Sequence, residues 1–305
     1  MTDVVYVLGT GSQWRNNEIR FSLRSIAKNL KGYGKIYIVG EDPGGLKNVI
    51  HIPHPDELGP VNADGNIIRK VLRVCQEPEL SNDFLFINDD HLISKPIKIK
   101  EIPAFHKGDM TTYSDQYWKF NPWRKRLMLT RDELIRQGLT ANHFDCHTPI
   151  LFNKVRFPEI VSRFDYATGI GLCMKSLYGN IAYPDGTQLT DQKKTVFRYF
   201  SLAELNQRLK HCGFVSYNDE GLNPALKAWL FHRFPEPSPW EDKKLTDAII
   251  EITEYLQGDQ DYKTGCDLFI RYCIGVNMKK VFSMGETPQL KRKLIYKLTR
   301  RIEDL

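Results

Sequence analysis

Residues 84–91 read Phe84-Leu85-Phe86-Ile87-Asn88-Asp89-Asp90-His91, an apolar run that ends abruptly in polar side chains. A short apolar run bounded by turn-forming residues is typical of a buried β-strand. Adjacent carboxylates after such a strand repel each other unless a cation neutralises them, and their oxygens suit Mg²⁺ or Mn²⁺. The stretch therefore predicts a strand followed by a divalent-metal site at Asp89 and Asp90. A turn or helix N-cap is the alternative, because Asn and Asp favour both.

The segments before this strand alternate between strand and helix patterns. Apolar runs at 4–8, 35–39 and 49–52 predict three further strands. Apolar residues at helical spacing predict helices near 16–30 and 64–77. Such alternation indicates a parallel, doubly wound sheet, in which ligands bind beyond the carboxyl ends of the strands. We therefore predict an α/β, Rossmann-like fold with a mostly parallel sheet flanked by helices.

The second half of the chain is less regular. Further helices are predicted at 131–138, 200–211 and 225–234. Prolines at 235, 237 and 239 interrupt the chain, so we predict one α/β domain at 1–240, the transferase domain of the interpretation below, and a helical extension at 241–305. The last predicted helix is basic through Lys291, Arg292, Lys293, Lys297, Arg300 and Arg301. Such a helix suits peripheral contact with anionic lipid or nucleic acid, and a solvated helix face is the alternative.

Composition narrows the class of protein. The chain has 305 residues, 41% of them hydrophobic, and a formal net charge of +6. These values are typical of a globular enzyme and not of a collagen-like or disordered chain. The six cysteines are scattered without a C-x-x-C pair, which favours reduced thiols. The N-terminus is too short and too acidic for a signal peptide, and no apolar run approaches the roughly 20 residues that span a bilayer. We therefore predict a soluble, cytoplasmic protein.

Several residues are candidates for binding the phosphates of a nucleotide. The loop at 9–12 contains two glycines between a strand and a helix, where the backbone can approach an anion closely. Basic side chains four residues apart share a helix face and can clamp an anion. An ordinary turn and solvated helix faces are the alternatives. The candidates are Thr10, Gly11, Ser12, Arg15, Arg20, Arg24 and Lys70, with Asp219 as a further acidic candidate.

Asp145 and His147, with His143 nearby, form a second polar cluster. A histidine beside a carboxylate is suited to act as a general base or as a metal ligand. We predict catalytic roles for Asp90, Asp145 and His147, with a structural histidine as the alternative. The aromatic and basic run at 117–126 suits stacking of an acceptor sugar or base, and core packing is its alternative.

Taken together, these motifs resemble the Stealth proteins, which include bacterial capsular-polysaccharide phosphotransferases and the lysosomal-targeting N-acetylglucosamine phosphotransferase. The likeness runs in order through about residues 3–241. The four regions of the family are similar here at Asp3-Val-Val-Tyr6, at 17–26 with 35–39 and 86–90, at His147-Thr-Pro149 with 156–158, and at Tyr217-Asn-Asp219 with 234–238 and Glu241.

The resemblance implies a GT-A-like core in which a sugar-1-phosphate moves from a nucleotide-sugar donor to an acceptor hydroxyl, most naturally on a glycan. Asp90 and His147 would be central to that reaction, with Mg²⁺ or Mn²⁺ as cofactor. Gly9-Thr10-Gly11-Ser12 differs from the family's first region. Transfer of the bare sugar with release of a nucleoside diphosphate is therefore one alternative. Because the last predicted helix is basic, a nucleic acid is an alternative acceptor. A non-catalytic carbohydrate- or nucleic-acid-binding module is another.

Overall fold

Strands and helices alternate through the first half of the chain. The computed structural model describes residues 1–241 except for 13, 15, 115 and 117–120. The strands are β1 (Thr2–Leu8), β2 (Leu30–Lys31), β3 (Tyr33–Gly40), β4 (Ile50–Ile52), β5 (Asp83–Ile87), β6 (His91–Ile93), β7 (Ile97–Lys98), β8 (Phe105–His106), β9 (Ile150–Asn153), β10 (Thr187–Gln188), β11 (Lys193–Val196) and β12 (Phe214–Tyr217). The α-helices are α1 (Asn17–Asn29), α2 (Ala63–Cys75), α3 (Pro122–Arg136), α4 (Arg156–Val161), α5 (Met174–Ala182), α6 (Leu202–Leu209) and α7 (Pro224–Arg233), and short 3-10 turns cover Pro60–Asn62, Ile99–Glu101 and Met110–Thr112.

The central sheet has the strand order β4-β3-β1-β5-β9. Its first four strands run parallel, and β9 runs antiparallel to β5. Val5 in the middle strand pairs with Tyr37 on one side and with Phe86 on the other. The continuous apolar sequences of β1, β3 and β5 fit a sheet that is buried on both faces. The fold is therefore the mixed α/β class with a mostly parallel sheet that the sequence predicts.

Helices cover both faces of this sheet. On one face, Ile19, Leu23 and Ile26 of α1 recur at helical spacing in a cluster of buried side chains. On the other face, Ile68 of α2 and Leu177 of α5 belong to a second buried cluster. Burial of one such side chain contributes roughly 1.5–3 kcal/mol. Packing on both faces thus fixes the strands, and with them the loops at their carboxyl ends.

A second sheet begins where β5 ends. Residues 88–90 carry the chain from β5 directly into β6, which belongs to a three-stranded sheet of order β11-β12-β6. β6 runs antiparallel to β12, with His91 opposite Ser216, and β11 runs parallel to β12. The polar residues after β5 therefore stand at the junction of the two sheets.

Most of the predicted elements are confirmed. The strands predicted at 4–8, 35–39, 49–52 and 84–87 correspond to β1, β3, β4 and β5, and the helices predicted near 16–30, 64–77, 200–211 and 225–234 correspond to α1, α2, α6 and α7. The helix predicted at 131–138 instead begins at Pro122, because the Asn121 side chain accepts a hydrogen bond from the Trp123 backbone N–H and caps it.

The segment that ends at Glu241 packs back on the sheet. The Trp240 ring lies 5.6 Å from the Tyr33 ring, centroid to centroid, and Glu241 forms a buried ion pair with Arg24. The predicted helical extension and its basic last helix lie outside the described residues, so the division at 240 stays a prediction. The cytoplasmic location also stays a prediction. No helix in the described part of the chain is long and apolar enough to cross a bilayer.

Candidate metal site and adjoining pocket

Asp90 and His91 stand at the junction of the two sheets. Asp90 is the last residue of the connection from β5, and His91 is the first residue of β6. Pairing with Ser216 fixes the backbone of His91, and its side chain is fully buried. The Oδ1 atom of Asp90 lies 3.5 Å from Nε2 of His91.

The antiparallel pairing of β9 with β5 brings His147 to the same place. Phe86 pairs with Ile150, so the residues just before Ile150 lie beside those just after Phe86. His147 has a φ of 53°, a left-handed conformation that costs a non-glycine residue roughly 1–2 kcal/mol. One potential ligand atom from each of Asp90, His91 and His147 lies within 4.8 Å of the other two. We call these three residues the metal-site triad.

Buried polar atoms of the triad have the chemistry of a cation site. Among the described residues, Asp90 Oδ1 and both ring nitrogens of His91 are buried without a hydrogen-bond partner. A buried polar atom left in this state costs about 1–3 kcal/mol. A cation held between the carboxylate and an imidazole would satisfy atoms of both side chains. The residues present therefore fit a divalent metal ion.

The surroundings keep both histidines neutral. Burial lowers the pKa of His91 well below its usual value, and the charge of Lys175 lowers it further. Desolvation lowers the pKa of His147 to about 3, with a further contribution from Lys193. Neutral imidazole is the form that binds a metal ion. The triad is thus ready for coordination throughout the neutral pH range.

The pKa values of the two adjacent aspartates are raised to different extents. Burial raises the pKa of Asp90 to about 6, while the charge of Lys175 opposes that rise. Burial raises the pKa of Asp89 to about 8, and the charges of Asp90 and Glu18 add to the effect. The charge of Glu18 raises the pKa of both aspartates, and Asp90 but not Asp89 belongs to the triad.

A pocket of about 180 Å³ adjoins His147. Its wall combines carboxylates, an ammonium group, an amide, an imidazole and two aromatic rings, a mixture that suits a ligand rich in polar groups. The lining residues are Asp64, Ile67, Phe86, Asn88, Trp123, Asp145, His147, Met174 and Lys175. His147 belongs to both sites and therefore joins the pocket to the triad.

Asp145 lines this pocket and also holds the start of α5. Its Oδ2 atom accepts hydrogen bonds from Ser176 Oγ at 2.5 Å and from the Ser176 backbone N–H at 3.2 Å. Burial raises the pKa of Asp145, and the bond from the Ser176 hydroxyl opposes the rise. Of the three residues predicted to be catalytic, Asp145 and His147 line the pocket, and Asp90 lies beside His147 in the triad.

Three charged residues at the site, Asp64, Lys175 and Lys193, escaped the sequence analysis. Asp64 forms a 2.7 Å ion pair with Arg126, which also donates to the carbonyl groups of Val61 and Ile170. Lys175 lies in the first turn of α5, and Lys193 lies in β11. The position of Asp64 could have been predicted, since an acidic residue in the first turn of a predicted helix lies near the sheet edge. The positions of the two lysines could not have been predicted, because the helix and the strand that contain them were not predicted.

Two predicted phosphate-binding side chains are engaged elsewhere. Arg24 forms two hydrogen bonds of 2.8 and 2.7 Å with the Glu241 carboxylate and also donates to the carbonyl of Phe234. Lys70 donates to the Leu8 carbonyl at 2.7 Å and to Asp56 at 2.5 Å. Both side chains are thus engaged within the fold, and their role in phosphate binding stays a prediction.

Arg20 and Ser12 also make contacts within the fold. Arg20 Nη2 donates to the Gly44 carbonyl at 3.3 Å. Ser12 Oγ donates to the Glu18 carboxylate at 2.8 Å and accepts from the Asn16 backbone N–H at 2.7 Å, which shapes the loop before α1.

The other candidates within the described residues, Thr10, Gly11 and Asp219, are not part of the triad. Thr10 and Gly11 are exposed, and Asp219 is exposed in the turn after β12. Arg15 and residues 117–120 of the aromatic run lie outside the described residues. Within that run, Trp123 lines the pocket.

No protein-family model and no curated protein sequence matches the chain. Among solved structures, the fold is similar to mouse xyloside xylosyltransferase 1 in its apo form, with 12% identity and a TM-score of 0.36 over 73% of this chain and 99% of that one. It is also similar to the apo form of the glycosyltransferase GlyE of Streptococcus pneumoniae, with 12% identity and a TM-score of 0.39 over 84% of this chain and 63% of that one. The chain thus spans less than two thirds of the GlyE structure. The α/β fold rests on the strand pairing above, and the Stealth resemblance stays a prediction from sequence.

Proposed function

We propose that the chain is a divalent-metal-dependent transferase that uses a nucleotide-sugar donor on a GT-A-like core. The observation that carries the proposal is the triad of Asp90, His91 and His147 beside a polar pocket. The triad lies at the carboxyl edge of a parallel sheet, where doubly wound folds bind their ligands. The buried atoms of Asp90 and His91 that lack a hydrogen-bond partner support the binding of a cation at this edge.

In this proposal, Asp90, His91 and His147 hold the metal ion, which when bound supplies positive charge for the donor diphosphate. Two of the three ligands are imidazoles, a donor set less suited to Mg²⁺ than to a transition-metal ion such as Mn²⁺. Asp145 lies on the pocket wall, where it can accept the proton of an acceptor hydroxyl. Its bonds to Ser176 hold the carboxylate in place for that role.

The nucleotide that is released shows which group has been transferred. A panel of nucleotide-sugars is incubated with Mn²⁺ or Mg²⁺ and a mixture of glycan acceptors, with and without chelator, and the products are separated by chromatography. Chelator-sensitive release of a nucleoside monophosphate means sugar-phosphate transfer, and release of a nucleoside diphosphate means sugar transfer.

Two variants and one control tie this activity to the site. Asp90→Asn and His147→Gln are expected to abolish release, while Asp191→Asn changes a carboxylate that is 95% exposed and is expected to behave as wild type. Absence of release from every donor by a protein that still binds the metal would overturn the transferase proposal in favour of a binding module.

A further inference from the structure

Two buried lysines flank the metal-site triad. Lys175 is 6% exposed and Lys193 is 7% exposed, although lysine is almost never fully buried without a partner of opposite charge. Lys175 Nζ lies 5.5 Å from the centre of the Phe86 ring and bonds to the residue after His147. Lys193 bonds to Thr195, which pairs with Ser216, and Ser216 in turn lies opposite His91. Both lysines therefore lie beside the triad.

Each of these lysines has a neutral hydrogen-bond partner in place of a counter-ion. Lys175 Nζ donates to the Thr148 carbonyl at 2.9 Å, and Lys193 Nζ donates to the Thr195 hydroxyl. Neither ammonium forms an ion pair with a carboxylate in the described part of the chain. Since an ammonium has three N–H donors, donors remain for a further partner. Burial of a charge without an opposite charge is costly, so an anion bound here would stabilise the site.

Compensation by distant charges differs between the two lysines. Asp145 and Asp90 favour the charged form of Lys175 from a distance. Burial lowers the pKa of Lys193 to about 7, the like charges of Lys107 and Lys175 add to the fall, and Asp90 opposes it. An anion bound beside Lys193 would favour its charged form.

The position of Lys175 adds a second attraction for an anion. It lies in the first turn of α5, a helix of nine residues. Backbone N–H groups at a helix N-terminus carry partial positive charge and favour an anionic group. A divalent ion in the triad would add to this positive field.

We propose that Lys175 and Lys193 form an anion subsite beside the triad that holds a phosphate group of the substrate. Assigning that phosphate to a nucleotide donor rests on the proposed function. The subsite itself rests on the two buried ammonium groups, whatever reaction the chain performs. A phosphate carried by the acceptor has the same chemistry, so the test separates the two sources.

The test measures binding of pyrophosphate, a nucleoside diphosphate and a hexose 6-phosphate by calorimetry and thermal unfolding, in phosphate-free buffer with chelator and again with Mn²⁺. Lys193→Met and Lys175→Met are expected to weaken pyrophosphate binding at least tenfold. Lys194→Met is the matched control, because Lys194 is adjacent to Lys193, half exposed and paired with Asp191. Stronger binding of the nucleoside diphosphate with Mn²⁺ assigns the subsite to the donor, and stronger binding of the hexose phosphate assigns it to the acceptor.

Stability supplies a second readout. A buried charge without a counter-ion is relieved by an apolar side chain of similar volume. Both methionine variants are therefore expected to melt no lower than wild type without anion, and to lose the rise in melting temperature that pyrophosphate gives wild type. Undiminished pyrophosphate binding by both variants, or no binding by wild type, would overturn the subsite. Failure of every nucleotide-sugar to turn over, with lysine-dependent pyrophosphate binding intact, would instead count against the proposed function alone.

Discussion

Asp90 Oδ1 and His91 Nε2 lie 3.5 Å apart at the junction of the two sheets, yet no hydrogen bond connects them. The buried Oδ1 atom of Asp90 and the ring nitrogens of the buried His91 lack hydrogen-bond partners, an unfavourable arrangement that a metal ion between them would relieve. This relationship is the basis for placing a metal ion at the triad.

Replacement of His91 by phenylalanine separates metal binding from folding. Because neither ring nitrogen has a protein partner among the described residues, His91→Phe is expected to leave the metal-free protein at least as stable as wild type. Mn²⁺ at one hundred times its Kd stabilises a protein by about 2.7 kcal/mol, and this gain is expected to vanish in the variant. Chemical unfolding with and without Mn²⁺ measures both effects. Retention of the full gain by His91→Phe would remove His91 from the site.

Arg24 is expected to stabilise the fold without contributing to phosphate binding. The side chains of Arg24 and Glu241 are 2% and 3% exposed, so loss of one partner strands a buried charge. Arg24→Met is expected to lower the free energy of unfolding by about 3–5 kcal/mol. The double variant Arg24→Met, Glu241→Leu is expected to recover most of that loss, as measured by denaturant unfolding. A single variant of wild-type stability with weakened nucleotide binding would restore the anion-clamp prediction.

Asp145 is expected to have separable effects on catalysis and on helix α5. Asparagine can still accept from Ser176 but cannot take a proton, so Asp145→Asn should fold normally. General-base catalysis contributes about 10²–10⁴-fold, and kcat should fall by that order. Asp145→Ala should lose both functions. Steady-state kinetics and thermal unfolding of the two variants measure the difference, and an Asp145→Asn protein with wild-type kcat would exclude Asp145 as the base.

His143 gives the fold a specific sensitivity to acid. Its Nδ1 atom lies 3.0 Å from the Tyr113 hydroxyl, and burial lowers its pKa from 6.5 to about 3. Between these values the unfolded chain binds a proton that the folded chain does not, so stability falls as the pH falls through this window. The slope contributed is up to about 1.4 kcal/mol per pH unit.

The His143→Gln variant isolates that contribution. With chelator present, its free energy of unfolding should decline less steeply than that of wild type between about pH 6 and 4. The other titrating groups are common to both proteins and cancel in the difference. Parallel stability curves for the two proteins over this range would show that His143 does not supply the slope.

The sequence predicted the first sheet better than the second. Long apolar runs mark β1, β3 and β5, and their alternation with helices was enough for the parallel order. Strands β6, β11 and β12 have only three or four residues, too few for a periodic pattern. No role was therefore predicted for His91, although strand pairing with Ser216 makes it a buried part of the site.

Site residues that follow a single predicted strand could be predicted from the sequence. Those that reach the site only through the packing of distant segments could not. Asp90 follows an evident strand, and His147 has an acidic neighbour in Asp145. The meeting of Asp90 with His147 requires the antiparallel return of β9, which no local pattern indicated. Likewise, the position of Arg24 on a helical wheel suggests an anion-binding side chain, and only the fold shows that Glu241 is its partner.

The most direct measurement is a titration of metal-free protein with Mn²⁺, followed by calorimetry and by the electron paramagnetic resonance of the free ion. We expect one Mn²⁺ per wild-type chain, at least tenfold weaker binding by Asp90→Asn, His91→Phe and His147→Gln, and unchanged binding by Asp191→Asn. Equal binding by wild type and all three triad variants, or no binding by wild type, would contradict the assignment of these residues to a metal site.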